Sequence, residues 1–337
     1  MTTRKDVALV VQQTSKELAH HDCLHDHKET IKVEKTLIEC CLMKGIDTPL
    51  PPLTKFSRTS HLFNTGGTAV SMDDIVVSKD DEKVFSQMAN GVNGIYVEEK
   101  VDGANMGFTL CADGEILAQN RSHYISSGDH AQFSQLTAWV EEHRQALIHI
   151  LNSHGETRVA SQGLILYGEW LVAKHSISYH KLPSHFVAFD IYDRKHRRFL
   201  SRERFHTIMK KSGIPVVPLI NVQKFGPYHD NFLKMNLNNN KIINNKSNAS
   251  KSQSLRYDLR TFLETKSKFR NDNGYVEGVI LRVDNGEWLE QRFKIVRPDF
   301  VAGCGEGHWS SRDIEKQVID YDFAQEYLNG CYICAKN

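Results

Sequence analysis

The sequence predicts an α+β protein, with mostly antiparallel sheets flanked by helices, and three features carry that expectation. Strand-like segments crowd the chain from Ile95 onward. Two pairs of them are separated by dipeptides that favour tight hairpins, Asp113-Gly114 and Asn285-Gly286. Helical patterns fall irregularly between the strands, whereas a doubly wound parallel sheet would need one after nearly every strand.

Taken in order, residues 1–48 read as helical, because Ile31, Val33, Leu37, Ile38, Cys41 and Leu42 recur at helix-compatible spacing. Prolines at 49, 51 and 52 in "GIDTPLPPL" stop any helix there. Residues 1–52 are therefore expected to be a helical N-terminal appendage and linker, which either packs on the main domain or docks a partner. The main domain is expected over 53–310. Its strand patterns are "GIYVEEKV", "NMGFTL", "EILAQN", "LILYGEWLV", "HFVAFDIYD", "YVEGVILRV" and "WLEQRFKIV". Between them, "FSQLTAWVEEHRQALIHILNSH" and "SRERFHTIMKKSG" repeat with helical periodicity. Residues 236–256 are asparagine-rich and free of aromatics, the composition of a disordered surface insert. A short helical tail is expected over 311–337.

A formal net charge of +1 gives no global attraction for polyanions, so a nucleic-acid site must come from local clustering. Seven scattered cysteines argue for a reducing compartment, and no run approaches the roughly 20 apolar residues of a membrane span. An intracellular protein, cytoplasmic or nuclear, is the expectation.

The hairpins bring polar residues together. The return strand of the first carries Arg121 back level with the turn at Lys100–Gly103. In the second, a two-residue Asn285-Gly286 turn pairs Asp284 with Glu287, hence Glu277 with Lys294 and Val279 with Arg292, unless a bulge shifts the register. Opposed residues hold their Cβ atoms about 5 Å apart, so a carboxylate is expected beside two cations. A cross-strand ion pair alone would leave the same pattern.

Lys-x-Asp-Gly at Lys100 is a short pattern, but matching parts follow it: "KVDGAN" (100–105), "QNR" ending at Arg121, "YGEW" (167–170), "AFDIYD" (188–193), "EGVILR" (277–282) and "RFKIV" (292–296). From about Lys55 to Trp309 the chain resembles the covalent polynucleotide ligases, and most of all the RNA ligases related to phage RNA ligase 2. The asparagine ending "KVDGAN" favours RNA ligases over DNA ligases and capping enzymes.

The resemblance implies a nucleotidyltransferase (ligase adenylation) domain, ATP and a divalent metal (Mg2+ or Mn2+) as cofactors, and RNA with 5′-phosphate and 3′-hydroxyl ends as partner. It implies that Lys100 attacks the α-phosphorus of ATP, that AMP passes to an RNA 5′-phosphate, and that a 3′-hydroxyl displaces it, as in RNA repair. A lysine amine attacks only when neutral; its ordinary pKa is about 10.4, and neighbouring cations or burial lower it.

On the same resemblance Asp102 shapes the turn, and Asn105 holds a metal-bound water or phosphate oxygen. Arg121 contacts the nucleotide or the 5′-phosphate, Glu169 accepts from the ribose hydroxyls, Phe189 stacks on adenine and Glu99 helps to read the adenine edge. Glu277 binds the metal, and Arg292 and Lys294 grip the AMP phosphate. Arg292 departs from the family's Lys-x-Lys, keeping the charge with a different geometry.

For Phe189 core filling is the rival reading, and for Arg121 a surface ion pair. A capping-type guanylyltransferase, another adenylyltransferase or a non-catalytic RNA-binding relative are the alternatives for the whole chain. The basic run 193–206 would bind RNA phosphates or form a solvated helix face, and Cys304, His308, Cys331 and Cys334 have the residue types of a zinc site.

Overall fold

The computed structural model describes residues 51–71, 74–80, 95–153, 163–223, 259–300 and 314–330. The expected helical appendage over 1–48, the insert at 236–256, and Cys304, His308, Cys331 and Cys334 lie outside the described residues.

The strands form two antiparallel sheets. One contains β1 (Ile95–Lys100), β8 (Leu219–Gln223), β9 (Gly278–Asn285) and β10 (Trp288–Val296), in the order β10-β9-β1-β8. The other contains β2 (Ala104–Leu110), β3 (Ile116–Gln119), β4 (Tyr124–Ile125), β5 (Leu164–Trp170), β6 (Phe186–Asp193) and β7 (Arg198–Phe199), in the order β4-β3-β2-β5-β6-β7. Consecutive strands β1 and β2 thus belong to different sheets, and Lys100 ends the first of them.

Side-chain alternation explains how each sheet finds its core. In β1, Ile95 and Val97 turn into an apolar cluster with Val279, Leu281, Val283 and Ile295, while Glu98 and Lys100 take the opposite face. The second sheet packs Met106, Phe108, Leu166 and Phe186 against two short helices, α1 (Leu136–Glu142) and α2 (Arg144–Leu151). These bury Leu136, Trp139 and Val140, then Leu147, Ile150 and Leu151, both sets at i, i+3, i+4 spacing.

The single helical pattern of the sequence is therefore two helices. They divide at His143, whose Nδ1 donates to the Trp139 carbonyl at 2.9 Å and whose ring stacks on Trp139. A third helix, α3 (Arg202–Met209), is capped by Ser201, whose side chain accepts from the Arg204 N–H.

The first hairpin turns through residues 112–114, with the Cys111 N–H donating to the Glu115 carbonyl. The second corrects the expected register. Asn285 pairs with Trp288, so the turn is Gly286-Glu287, one residue later than Asn285-Gly286. Only Gly286 takes a positive φ (58°), whereas a type I′ turn needs it at both central positions. A bulge between Leu289 and Gln291 adds a further step. Lys294 consequently faces Ile280 instead of Glu277, and Arg292 faces Arg282 instead of Val279. The offset is an odd number of residues, so it moves both cations to the other face of the strand, the one shared by Glu98 and Lys100.

Candidate active site

A cavity of about 190 Å³ opens beside Lys100, where the chain leaves one sheet for the other. The turn that follows needs Gly103: a Cβ there would sit 2.6 Å from the Trp170 carbonyl oxygen. Pressed this close to β5, the Gly103 N–H donates to Glu169 Oε1 at 3.1 Å. Asp102 accepts from the N–H groups of Ser176 and Ile177, at 2.7 and 2.9 Å. Its own N–H donates to the Tyr179 hydroxyl at 2.8 Å. Gln317 in turn accepts from the Tyr179 N–H at 2.7 Å and donates to the carbonyls of Leu171 and Ala173. The lysine turn is thus braced by a loop that the C-terminal segment holds in place.

Of the residues singled out from the sequence, Glu99, Lys100, Asn105, Arg121, Glu169, Phe189, Arg292 and Lys294 line the cavity. Glu277 stands behind them, 5 % exposed, with its carboxylate oxygens 2.6 and 2.7 Å from Lys100 Nζ. Although the hairpin register differs from the expected one, Lys100 pairs across the sheet with Gly278, which brings the preceding Glu277 alongside.

Burial disfavours the charge on Lys100, but Glu277, Glu169 and Asp102 outweigh it and hold the ammonium above its ordinary pKa. In the same cluster burial pushes Glu277 up to about 7 and Glu169 up to about 8. One ammonium among three carboxylates leaves an excess of negative charge. Asn105 Oδ1 is buried there without a hydrogen-bond partner. Hard oxygen donors, excess negative charge and an unsatisfied carbonyl oxygen suit a divalent cation such as Mg2+ or Mn2+.

The floor of the cavity is a buried ionic network. Asp190, 1 % exposed, bonds both Arg282 and Arg292. Arg202 pairs with Glu98 at 2.5 Å, and its Nη1 donates to the Phe189 carbonyl at 2.9 Å. Asp284 accepts from the Arg202 N–H at 2.6 Å. Burial raises Asp190, but Arg282 and Arg292 overcome it and hold the carboxyl below its usual value.

A bulge builds this floor: Tyr167 pairs with Asp190 and Gly168 with Ala188, so Phe189 is the extra residue of β6. It puts Ala188 and Ile191 in the same core and leaves Phe189 half-buried at the cavity. Phe56 meets the Phe189 ring edge-on at 5.4 Å, and Arg292 lies over Phe56 at 4.5 Å. Glu99 points to the other side of β1, accepting from Ser267 Oγ at 2.5 Å and the Lys268 N–H at 3.3 Å, and burial raises it to about 7.

Several of these groups carried no role in the sequence reading. Asp190 and Arg282 stood inside "AFDIYD" and "EGVILR", where a charge in an otherwise apolar strand was the available signal. Arg202, from the basic run 193–206, is only 2 % exposed and turns inward. Phe56, His61 and Asp74 had no motif to mark them. Burial, then Lys294, lowers His61 to about 4, while Lys294 and Ser71 hold Asp74 below its ordinary value against the opposing effect of burial.

Two antiparallel sheets meeting at a lysine, with carboxylates and arginines around it, make a nucleotidyltransferase-type fold. Residues 93–296 match the RNA ligase family, and the chain belongs to that family. No curated protein matches the sequence.

Among solved structures it is similar to the Naegleria gruberi RNA ligase. A lysine-to-alanine mutant with ATP and Mn is 16 % identical with TM-score 0.42, over 76 % of this chain and 63 % of that one. The enzyme with PPi is 18 % identical with TM-score 0.41, over 76 % and 64 %. A glutamate-to-alanine mutant with AMP and Mn is 17 % identical with TM-score 0.41, over the same shares. The chain therefore spans 63–64 % of the length of these structures. Family membership rests on the sequence match alone.

Proposed function

We propose that the chain is an ATP-dependent RNA ligase that joins 5′-phosphate and 3′-hydroxyl RNA ends through lysyl-AMP and adenylylated RNA, in the repair of broken RNA. The observation that carries this reading is Lys100 Nζ, 2.6–2.7 Å from Glu277, in a cavity shared with Glu169, Phe189 and Lys294.

Lys100 attacks the α-phosphorus of ATP, and the bond to the bridging oxygen breaks to release pyrophosphate. The ammonium must first lose a proton, and Glu277, whose carboxylate favours the charged amine, holds that proton on until its own negative charge is offset. Glu277, and Asn105 through a water, would hold the divalent metal. When bound, that metal supplies positive charge against the charge developing on the phosphates.

Glu169 accepts from the ribose hydroxyls and Phe189 stacks on adenine, whereas Glu99, whose carboxylate is held by Ser267 and Lys268 on the other side of β1, takes no part in reading the base. Lys294 grips the AMP phosphate, and Arg292, shared with Asp190, adds charge from the floor. Arg121 at the mouth meets the RNA 5′-phosphate with its planar fork. Among the described residues no helix is long and apolar enough to cross a membrane, and RNA is the partner expected.

The test is to incubate the protein with Mg2+ or Mn2+ and α-labelled ATP or GTP, denature it, and follow the label. ATP label is expected on the protein, absent in Lys100→Ala, and removed by 5′-phosphorylated RNA. Label from GTP alone would reassign the chain to the capping-type enzymes.

A further inference from the structure

Lys294, the residue assigned to the phosphate, is already held by an anion of the protein. Its Nζ lies 2.6 Å from Asp74 Oδ1, and both side chains line the same cavity as Lys100. The second Asp74 oxygen accepts from the Ser71 N–H at 3.1 Å and from Ser71 Oγ at 2.8 Å. This pair is built into the backbone. The Lys294 N–H donates to the Ser60 carbonyl at 2.9 Å, and the Leu62 N–H to the Lys294 carbonyl at 3.0 Å. The next rung follows at once: the His61 N–H donates to the Ile75 carbonyl at 2.7 Å, and the Val77 N–H to the His61 carbonyl at 2.9 Å. Residues 60–62 therefore run between β10 and the segment carrying Asp74, with parallel bridges from His61 to both Lys294 and Val76. The His61 ring, 1 % exposed, backs the pair with Nε2 3.5 Å from Asp74 Oδ1.

Two anions cannot share one ammonium at that distance without repelling each other. We propose that Asp74 is the internal counter-anion of the phosphate subsite: it holds Lys294 aimed into the cavity until a nucleotide phosphate displaces it, and so sets the affinity of the site for phosphate. This rests on the reading of Lys294 as the phosphate contact. Ser71 keeps Asp74 close after displacement, so the carboxylate returns to Lys294 when the phosphate leaves.

The experiment is calorimetric titration of the full chain, without divalent metal, with inorganic pyrophosphate, AMP and adenosine. It compares the wild type with Asp74→Asn, Asp74→Ala and Asp74→Asn/Lys294→Ala. The single variants are expected to bind pyrophosphate and AMP about three- to tenfold more tightly, the range set by losing a partly exposed pair and one repelling charge. Adenosine affinity is expected to stay constant, and the double variant to lose the gain. Unchanged or weaker pyrophosphate binding in both single variants overturns the proposal, as does an absence of pyrophosphate binding in them or a gain that survives the loss of Lys294. Failure of the ligase reading appears elsewhere, as wild-type protein without label on Lys100, and leaves the pyrophosphate comparison standing.

Discussion

Asp190 is shared by two arginines, and one of them, Arg282, is fully buried. Removing the carboxylate charge leaves Arg292 without its ion-pair partner and Arg282 with only the more distant Asp284, at 3.7 Å, in a medium that solvates cations poorly. Asp190→Asn is expected to lose about 3–5 kcal/mol of stability, read as a lower urea midpoint with an unchanged slope. Glu277 has the opposite kind of influence, because its charge raises the pKa of Lys100 after burial has lowered it. In Glu277→Gln more of the amine is neutral at pH 8, so an amine-directed reagent should modify Lys100 faster than in the wild type. Mass spectrometry of the modified peptide reads this without nucleotide or metal. At this scale the groups legible in the sequence were those in ordered motifs, Lys100, Glu169 and Glu277 among them. Asp74 and His61 were not, because backbone pairing between distant segments creates their contact with Lys294, and no local pattern encodes it.

Strand irregularities decide where these side chains point. The bulge that exposes Phe189 to the cavity also turns Asp190 toward the arginines, so one inserted residue positions a ring and a charge together. Asn285-Gly286 marked the second hairpin correctly as a hairpin, yet the turn closed one residue later and a second bulge followed. Hydrophobic alternation could not correct that, because "WLEQRFKIV" places polar and apolar groups on both faces. On α3, His206 is buried beside Arg202 and Arg282, and burial first, then those charges, lower it to about 3. Its folded value lies below the unfolded one, so the stability it contributes is complete above pH 6.5 and is lost as the pH falls toward 3. Between pH 7 and pH 5 that loss is about 2 kcal/mol, and His206→Gln should flatten the dependence of unfolding free energy on pH by that amount.

Across the whole molecule, the crossing from β1 to β2 makes two sheets share one lysine, so the cavity wall depends on how both are held. Residues beyond the family match take part in that. Gln317 reaches the loop that clasps Asp102, and the Tyr327 hydroxyl donates to the Val216 carbonyl at 2.7 Å. Gln317→Ala orphans a buried N–H and two carbonyls and should cost about 2–3 kcal/mol in stability. It should also slow the transfer of AMP to Lys100 in single-turnover labelling, although the glutamine never touches nucleotide. Such long-range stitching was invisible in the sequence, where this stretch read as a helical tail.

The glutamine has a practical corollary for anyone preparing shorter versions of this chain. Trimming at the end of the recognisable motifs, near residue 300, would discard Gln317 and Tyr327 together and leave a protein that still contains each signature residue but has lost the outer clamp on its reactive turn. Expression boundaries drawn for crystals or assays should run at least to Gly330, where the helix Tyr321–Gly330 that carries Tyr327 ends.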